Sequence, residues 1–410
     1  MGEQQGPANT VGSSVRGEDL WGREREIAEL WKRLQRGSVL LAGPRRHGKS
    51  SVMHALADRP QAGWIVEYLD VEYVRTPAEF LVELTAALLT HEKLRRRITS
   101  GLARGASKLG AWLGSIAKEA AFGRDQIGEL RLNLRDNLAD ERAWPELSEQ
   151  VLAQLQRVDD ERLLLIIDEF PMMIATFLDR DAEGAIHYLR WFRAMRQRRD
   201  TGHVRFLLGG SVNIEPRLER LGQQALLNDL DRMTIEPFAR NRAVEFVAAV
   251  LATEGIAHEV GVPAEVVRVA DCGVPFFLQV LIQECNADAR RHARALAVPH
   301  VEPVYRERVL GPANKARFSH YETRLREHYG EREELARLLL DELVRRQPLA
   351  RDELERAAIR AGEASAHVEA TLTLLESDYY IERDGDEVRF ANGFLRSWWQ
   401  RHAARGGGRA

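Results

Sequence analysis

The residues whose types and spacing suggest chemistry begin at Gly43. Gly43, Gly48, Lys49 and Ser50 satisfy the pattern G-x-x-x-x-G-K-[ST] within the stretch LLAGPRRHGKSS. Glycines let backbone N–H groups curl around phosphate oxygens, and a helix that begins at the loop adds a partial positive charge. In this pattern the lysine reaches the β- and γ-phosphates, and the serine hydroxyl can ligate Mg²⁺. The stretch therefore predicts a loop that binds the phosphates of a nucleotide together with Mg²⁺.

The residues between the two glycines carry charge that a short loop cannot bury by itself. Arg45, Arg46 and His47 can contact phosphate or face water, and the sequence leaves both possibilities open. We name residues 43–51 the phosphate loop. Its candidate cofactor-binding residues are Gly43, Pro44, Arg45, Arg46, His47, Gly48, Lys49, Ser50 and Ser51.

An acidic pair follows the longest apolar run near these residues. In LLLIIDEF, the apolar residues 163–167 are followed by Asp168 and Glu169. Open α/β sheets bind ligands at the carboxyl ends of their strands, so Asp168 can hold Mg²⁺ and Glu169 can polarise an attacking water. Alone, the pair would suit the acidic first turn of a helix better. Together with the phosphate loop it predicts catalysis, of the kind in P-loop ATPases that carry their base on this strand.

A third apolar run ends in further polar residues. In LLGGSVNIEP, Ser211 and Asn213 follow the run. A polar side chain at that position could contact the γ-phosphate or orient the water, although both residue types are also common in turns. Ser211 is therefore a catalytic candidate, and a role as an ordinary turn residue fits it equally well.

The elements around these residues predict an α/β fold. Apolar or alternating stretches indicate about five strands, and helical periodicity separates them. Such alternation favours a parallel sheet flanked by helices, the architecture of a P-loop NTPase. A long helix is predicted through IHYLRWFRAMRQRR, after the acidic pair. The five stretches are 38–42, 64–74, 163–168, 204–210 and, more weakly, 232–238.

The remainder of the chain is predicted to be helical until a hairpin. Three helical stretches precede YYIERDGDEVRF, which alternates around Asp-Gly and indicates a winged helix. Trp398 and Trp399, in the last helix, are predicted core residues. The predicted domains are a disordered leader (1–18), a P-loop ATPase core (19–238) with a basic helical insertion (about 91–136), a small helical lid (239–300), a helical connector (301–330), a C-terminal winged-helix domain (331–402) and a flexible tail (403–410).

Composition excludes several classes of protein. The 410 residues contain 59 Lys and Arg against 62 Asp and Glu, so no overall basic field indicates nucleic acid. The two cysteines, Cys272 and Cys285, have no metal-ligand spacing, which argues against a disulfide framework or zinc site and favours a reducing cytoplasm. Neither a signal peptide nor an apolar run of about 18 residues is visible. We therefore expect a cytoplasmic protein without a membrane span.

Five stretches, in this order, resemble a known family. They are WGREREIAEL, AGPRRHGKSS, LLLIIDEF, LLGGSVNIEP and DCGVPFFLQVLIQE. Over most of residues 19–400 the sequence resembles the AAA+-related STAND P-loop ATPases, and among them the archaeal-type ATPase family of archaea and bacteria. The resemblance implies an ATPase that uses ATP and Mg²⁺, and a winged helix that holds it in a resting state.

The same resemblance implies roles for residues outside the two strong motifs. Trp21, Gly22 and Arg23 match the family box that lies against the adenine. Pro275 belongs to the Gly-Val-Pro element through which the family's lid contacts the nucleotide. This proline also suits the first turn of a helix, and the two interpretations are compatible.

In this family, an arginine that follows the strand end at Ser211 and Asn213 often serves as an arginine finger or as a contact to the nucleotide site in trans. Arg232, just before MTIEPF, is the first candidate, and Arg217 is the second. With it, the catalytic candidates are Glu169, Lys49, Ser211 and Arg232, and the metal candidates are Ser50 and Asp168.

The segment 91–125 departs from the family pattern and is locally basic. It contains eight Lys or Arg against three acids, a net charge of +5, and apolar residues that could line one face of a helix. Nucleic acid, a membrane surface, a protein partner, or packing on the core are all compatible with it. The predicted recognition helix, 364–378, contains three acids and no Lys or Arg, and would repel DNA phosphates. Nucleic-acid binding is therefore expected only through 91–125 and without sequence specificity.

Together these observations favour a slow, Mg²⁺-dependent ATPase that acts as a switch. ATP or ADP would control its conformation or assembly, with a protein partner or self-assembly through the lid and the winged helix. Two alternatives stay open: an ATPase stimulated by nucleic acid, and a scaffold that binds ATP without hydrolysing it.

Overall fold

The chain forms two compact units in the computed structural model, which describes residues 6–102, 108–114, 126–138, 140–155, 161–198, 203–210 and 214–403. The sheet unit contains Arg23–Gly43 and Lys49–Ile235. The helical unit contains the residues before Arg23, the stretch Pro44–Gly48, and the residues from Glu236 onward. Four predicted features lie wholly or partly outside the described residues: Ser211, the start of the leader, nearly all of the tail, and two parts of the basic segment.

The sheet unit is built on five parallel strands. Every residue of the third strand after Arg162 is buried, which explains its unbroken apolar run. Because all strand pairs are parallel, the residues at their carboxyl ends, Ala42, Asp168 and Gly209, lie at the same edge of the sheet. The strands are β1 (Val39–Ala42), β2 (Trp64–Asp70), β3 (Arg162–Asp168), β4 (Val204–Gly209) and β5 (Asp231–Thr234), in the order β2-β3-β4-β1-β5.

Helices cover both faces of this sheet. They are α1 (Glu24–Leu34), α2 (Lys49–Asp58), α3 (Pro77–Thr90), α4 (Glu92–Leu102), α5 (Lys108–Leu113), α6 (Ile127–Asp136), α7 (Trp144–Leu155), α8 (Phe170–Arg180), α9 (Ala182–Gln197) and α10 (Glu215–Arg220). Alternate residues of β3 enter opposite apolar clusters: Leu164 and Ile166 pack with α1 and α2, whereas Leu165 and Ile167 pack with α3 and α9. The predicted fold class, a parallel sheet of about five strands flanked by helices, is confirmed.

The long helix predicted after the acidic pair is α9, and a separate helix, α8, precedes it. Asp181 separates them in an extended conformation. Its carboxylate accepts a hydrogen bond from the Gly184 N–H at 3.0 Å. An aspartate at this position satisfies an amide that has no partner within the helix, and so favours a new helix start.

The described part of the basic segment packs into the sheet unit. Leu109, Trp112 and Leu113, all in α5, are buried in the same apolar cluster as α3 and α7. The indole Nε1 of Trp112 donates to the Leu134 carbonyl oxygen at 2.8 Å. This apolar face therefore covers the core, which favours the packing alternative for the residues that are described.

The helical unit has its own apolar core. Trp398 and Trp399 are fully buried in it, as predicted. No helix among the described residues combines the length and apolar character needed to cross a bilayer. The elements are α11 (Arg240–Thr253), α12 (Val262–Ala270), α13 (Pro275–Arg291), α14 (Val298–Val304), a π-helix (Tyr305–Val309), α15 (Lys315–Phe318), α16 (His320–His328), α17 (Glu333–Arg345), α18 (Arg351–Arg360), α19 (Ser365–Ser377) and α20 (Gly393–His402), with antiparallel strands β6 (Leu349–Ala350), β7 (Ile381–Asp384) and β8 (Glu387–Phe390) in the order β6-β8-β7.

Candidate functional site

The phosphate loop connects β1 directly to α2. Gly43 and Gly48 have φ angles of +136° and +87°, which glycine adopts without steric cost. Lys49 is only 6% exposed, and its Nζ donates to the Gly43 carbonyl oxygen at 2.7 Å. Lys49 and Ser50 form the start of α2, where backbone N–H groups have no partner within the helix and can bind an anion.

Asp168 ends β3 with both carboxylate oxygens occupied by hydrogen bonds. Its Oδ2 accepts from the Tyr68 hydroxyl at 2.8 Å, and its Oδ1 accepts from the Glu169 N–H at 3.0 Å. Tyr68 lies on β2, whose pairing sets Asp70 opposite Asp168. The Tyr68 ring in turn lies 4.3 Å from the ring of His54 in α2. Side chains therefore connect the helix of the phosphate loop to Asp168.

Glu169 has an unusual backbone conformation. It lies between β3 and α8 with φ of +57° and ψ of +27°. This left-handed region is uncommon for residues other than glycine, and such residues cluster at functional sites. The conformation turns the chain sharply after Asp168, so that the two acids of the pair do not continue as a regular strand or helix.

Two glycines at the end of β4 give this turn the space it needs. A Cβ atom on Gly210 would lie 2.5 Å from Cδ of Pro171 and 3.4 Å from Oε2 of Glu169. A Cβ atom on Gly209 would lie 2.5 Å from Sδ of Met53. The backbone after β4 thus passes close to the acidic pair, which the sequence analysis missed. The two consecutive glycines at the end of this strand were the sequence feature that could have indicated such a close approach.

We expect Gly210→Ala to destabilise the sheet unit. The new Cβ would overlap the Pro171 ring, and overpacking of this kind costs about 1–3 kcal/mol. Thermal unfolding of the full chain should therefore show a lower Tm. Gly128→Ala is the control, because a Cβ on this α6 glycine meets nothing within 4 Å. An unchanged Tm for Gly210→Ala would contradict the close approach.

The other sequence candidates of the sheet unit have partners within it. Arg23 is buried, and its Nη1 lies 2.5 Å from Oε1 of Glu26. Arg232 is 56% exposed and forms an ion pair with Glu215. The second arginine candidate, Arg217, donates to Asp179 at 2.6 Å. Each of these three arginines therefore has a carboxylate partner outside the acidic pair.

The candidates at the start of the helical unit pack among aromatic residues. Trp21 contacts Phe238 and Phe246, with ring centroids 5.6 and 5.5 Å away, and the Arg242 guanidinium lies 4.0 Å from the Trp21 ring centroid. Gly22 has φ of +73°, and a Cβ there would meet Phe238 at 3.3 Å. These contacts give Trp21 and Gly22 a packing role within this unit.

Pro275 begins α13, as the structural interpretation of the Gly-Val-Pro element predicts. The preceding Gly273 accepts a hydrogen bond from the Phe238 N–H at 2.9 Å. A Cβ on Gly273 would lie 1.8 Å from the Phe238 carbonyl oxygen, so only glycine fits. The element thus holds the start of α13 against the chain at Phe238.

The tip of the phosphate loop, Pro44–Gly48, belongs to the helical unit and packs against other residues of that unit. The Arg46 guanidinium lies 4.3 Å from the Phe276 ring centroid and donates to the Gly12 carbonyl oxygen at 3.1 Å. Burial, followed by repulsion from Arg45, lowers the pKa of Arg46. His47 is buried. Arg46 therefore has a protein contact, which neither of the two sequence alternatives, phosphate or water, anticipated.

The residues present fit a magnesium ion that is shared with phosphate. No cluster of three or more His, Cys, Asp or Glu suited to a metal occurs among the described residues. Ser50 and Asp168 offer a hydroxyl and a carboxylate, and Mg²⁺ typically takes one or two such protein oxygens together with water and phosphate. The hydrogen bonds to Asp168 leave lone pairs on both of its carboxylate oxygens.

Comparison with known proteins identifies the fold. In sequence, no protein-family model and no curated protein matches the chain. In structure, it is similar to a Walker-type ATPase of Pyrococcus abyssi, with a TM-score of 0.60, 17% identity, and coverage of 96% of this chain and 99% of that one. The chain has a P-loop ATPase fold. The Orc2 protein of Aeropyrum pernix is also similar, with a TM-score of 0.50, 13% identity, and coverage of 91% and 90%.

Proposed function

We propose that the chain is a cytoplasmic, Mg²⁺-dependent ATPase that works as a switch of the AAA+/STAND type. ATP binding and slow hydrolysis would control its conformation or assembly, and so its contacts with a protein partner. The observation that carries this proposal is the acidic pair at the end of β3, at the same sheet edge as the start of the phosphate loop. A P-loop ATPase fold is compatible with it.

Binding of the triphosphate would rest on the phosphate loop. The N–H groups at the start of α2 would donate to phosphate oxygens. Lys49 would exchange its present hydrogen bond to Gly43 for the β- and γ-phosphates. This exchange keeps the buried ammonium paired in both states, which avoids the cost of an unpaired buried charge.

Hydrolysis requires a base beside the γ-phosphate. Glu169 would accept a proton from the attacking water as the water oxygen forms its bond to the γ-phosphorus and the bond from that phosphorus to the bridging oxygen breaks, with ADP as the leaving group. Its left-handed backbone and the close approach of Gly210 restrict where the carboxylate can lie. Ser211, Arg232 and the adenine box at Trp21, Gly22 and Arg23 remain predictions for this site, as does the lid contact at Pro275.

Magnesium would be held by Ser50 and Asp168. The ion supplies charge neutralisation for the phosphate oxygens. Tyr68 acts on it indirectly, as a positioning residue, because its hydroxyl fixes one oxygen of Asp168. Its ring is held in turn by His54, at 4.3 Å.

We expect Tyr68→Phe to weaken the Mg²⁺-dependent part of nucleotide binding. Loss of one hydrogen bond, about 0.5–1.5 kcal/mol, corresponds to a roughly two- to tenfold weaker affinity. The measurement is the affinity for a fluorescent ADP analogue during a Mg²⁺ titration, compared with the affinity in EDTA. Tyr73→Phe is the control, because its hydroxyl bonds Glu83 instead. Equal losses with and without Mg²⁺ would contradict a positioning role toward the metal.

The test of the proposed function measures turnover and particle size together. The full chain is incubated with no nucleotide, with Mg²⁺·ADP and with Mg²⁺·ATP, while phosphate release and hydrodynamic radius are followed. A switch predicts slow turnover and a radius that depends on the nucleotide. Turnover with a constant radius would contradict the switch, and nucleotide binding without turnover would favour the scaffold.

One observation bears on the nucleic-acid alternative. The acids of α19, the predicted recognition helix, are engaged by neighbouring arginines: Glu369 contacts Arg351 at 3.1 Å and Arg383 at 2.7 Å. The hydrogen bond from Arg383 lowers the pKa of Glu369, so its carboxylate stays charged at neutral pH. α19 itself offers no Lys or Arg to a DNA backbone, and the arginines beside Glu369 are already engaged by its carboxylate. We therefore propose a protein contact for the winged-helix region.

A further inference from the structure

A polar cavity of about 450 Å³ lies within the helical unit. Its volume falls within the range of about 300–1,000 Å³ typical of small-molecule sites. Three separate segments line it: α12, the end of α14 with the following π-helix, and α20. We call it the anion cavity, and its polar lining includes Arg268, Glu302, Arg306, Ser397, Gln400 and Arg401.

The arginines of the anion cavity come from three different segments. Arg268 pairs with Glu265 at 2.7 Å and with Glu302 at 3.2 Å, and Arg306 pairs with Glu302 at 2.5 Å. Arg401 forms no ion pair with any residue in the described part of the chain. Three cations therefore share two carboxylates, and one positive charge in the cavity is left for a ligand to neutralise.

The backbone beneath the cavity is also unusual. Tyr305 and Arg306 belong to the π-helix Tyr305–Val309. Such helices are rare and frequently mark functional sites. Tyr305 is 5% exposed, and burial raises the pKa of its hydroxyl, so it stays neutral. Ser397 lies beside it, and Gln400 adds an amide, so neutral hydrogen-bonding groups accompany the arginines.

We propose that the anion cavity binds a small phosphorylated molecule, at a site separate from the phosphate loop. Guanidinium groups form paired hydrogen bonds to phosphate oxygens, which makes arginine the preferred residue for this recognition. The cavity is concave and of small-molecule size, unlike the extended basic stripe that follows a nucleic-acid backbone. Because its lining comes from three segments, a bound phosphate would join α12 and the π-helix to α20.

Inorganic pyrophosphate is the probe that tests this site. The full chain is titrated calorimetrically with pyrophosphate, both as the wild type and with Lys49→Ala, which weakens binding at the phosphate loop. One pyrophosphate should still bind when Lys49 is replaced. Adding Arg401→Gln to Lys49→Ala should then weaken this binding about tenfold or more, as expected for loss of a charge-assisted contact. A sodium chloride titration at equal ionic strength measures general screening.

The control for Arg401→Gln is Arg360→Gln. Both arginines are exposed and lie in the last turn of a helix, but Arg360 is outside the cavity. Equal effects of the two changes would overturn the proposal, as would the absence of pyrophosphate binding in Lys49→Ala. Since Arg401 has no ion pair among the residues that the structure describes, Arg401→Gln should retain the Tm of its parent without ligand. Failure of the ATPase proposal would appear separately, as normal ATP binding by Lys49→Ala.

Discussion

Glu169→Gln is expected to lower ATP hydrolysis by about 10²–10⁴-fold, the usual contribution of a general base, while Mg²⁺·ATP still binds. Glutamine keeps the size of the side chain but cannot accept the proton of the attacking water. It also leaves Pro171 and Gly210, which lie close together beside the left-handed turn between β3 and α8, unchanged. Phosphate release at saturating ATP, together with equilibrium binding of ATP, measures the two effects.

The competing interpretation is that Glu169 only favours the start of α8. A matched control exists in Glu183, an exposed acid in the first turn of α9. Removing such a charge costs about 0.3–1 kcal/mol of stability and no activity. If Glu169→Gln and Glu183→Gln behave alike, with a small fall in Tm and normal turnover, the catalytic role is wrong.

The strands were predictable because their residues alternate or are wholly apolar. β3 is buried on both faces, and an unbroken apolar run such as LLLII is typical of a strand in that environment. The phosphate loop was predictable because its glycines and its lysine are adjacent in sequence. Both signals are local, and local signals are what periodicity and spacing report.

The interactions that orient the site are long-range and escaped the sequence. Tyr68 reaches Asp168 across 100 positions, through the pairing of β2 with β3. Nothing in WIVEYLD distinguishes this tyrosine from any other strand residue. The same holds for Gly210, whose requirement arises from Pro171 on a different segment. Such contacts depend on strand register, which a single sequence does not contain.

The second large effect is expected for Lys49→Ala, which should weaken ATP binding by about 10–100-fold. Removal of a charged hydrogen-bonding partner costs about 1.5–3 kcal/mol. The glycines of the phosphate loop remain, so phosphate should still meet the N–H groups at the start of α2. Equilibrium binding of ATP measures the loss, and Lys32→Ala, an exposed lysine of α1, controls for loss of a positive charge.

Lys49→Ala could weaken ATP binding by destabilising the fold as well as by removing a phosphate contact, because Lys49 is buried and donates a hydrogen bond to the Gly43 carbonyl oxygen. Loss of that bond predicts a small fall in Tm without nucleotide. Loss of phosphate contact predicts, in addition, that ATP stabilises the variant less than the wild type, since stabilisation by a ligand follows its affinity. ATP should therefore raise the Tm of Lys32→Ala as in the wild type, and that of Lys49→Ala much less. Equal ATP-dependent shifts in both variants would overturn the phosphate-binding role of Lys49, whatever its effect on the unliganded protein.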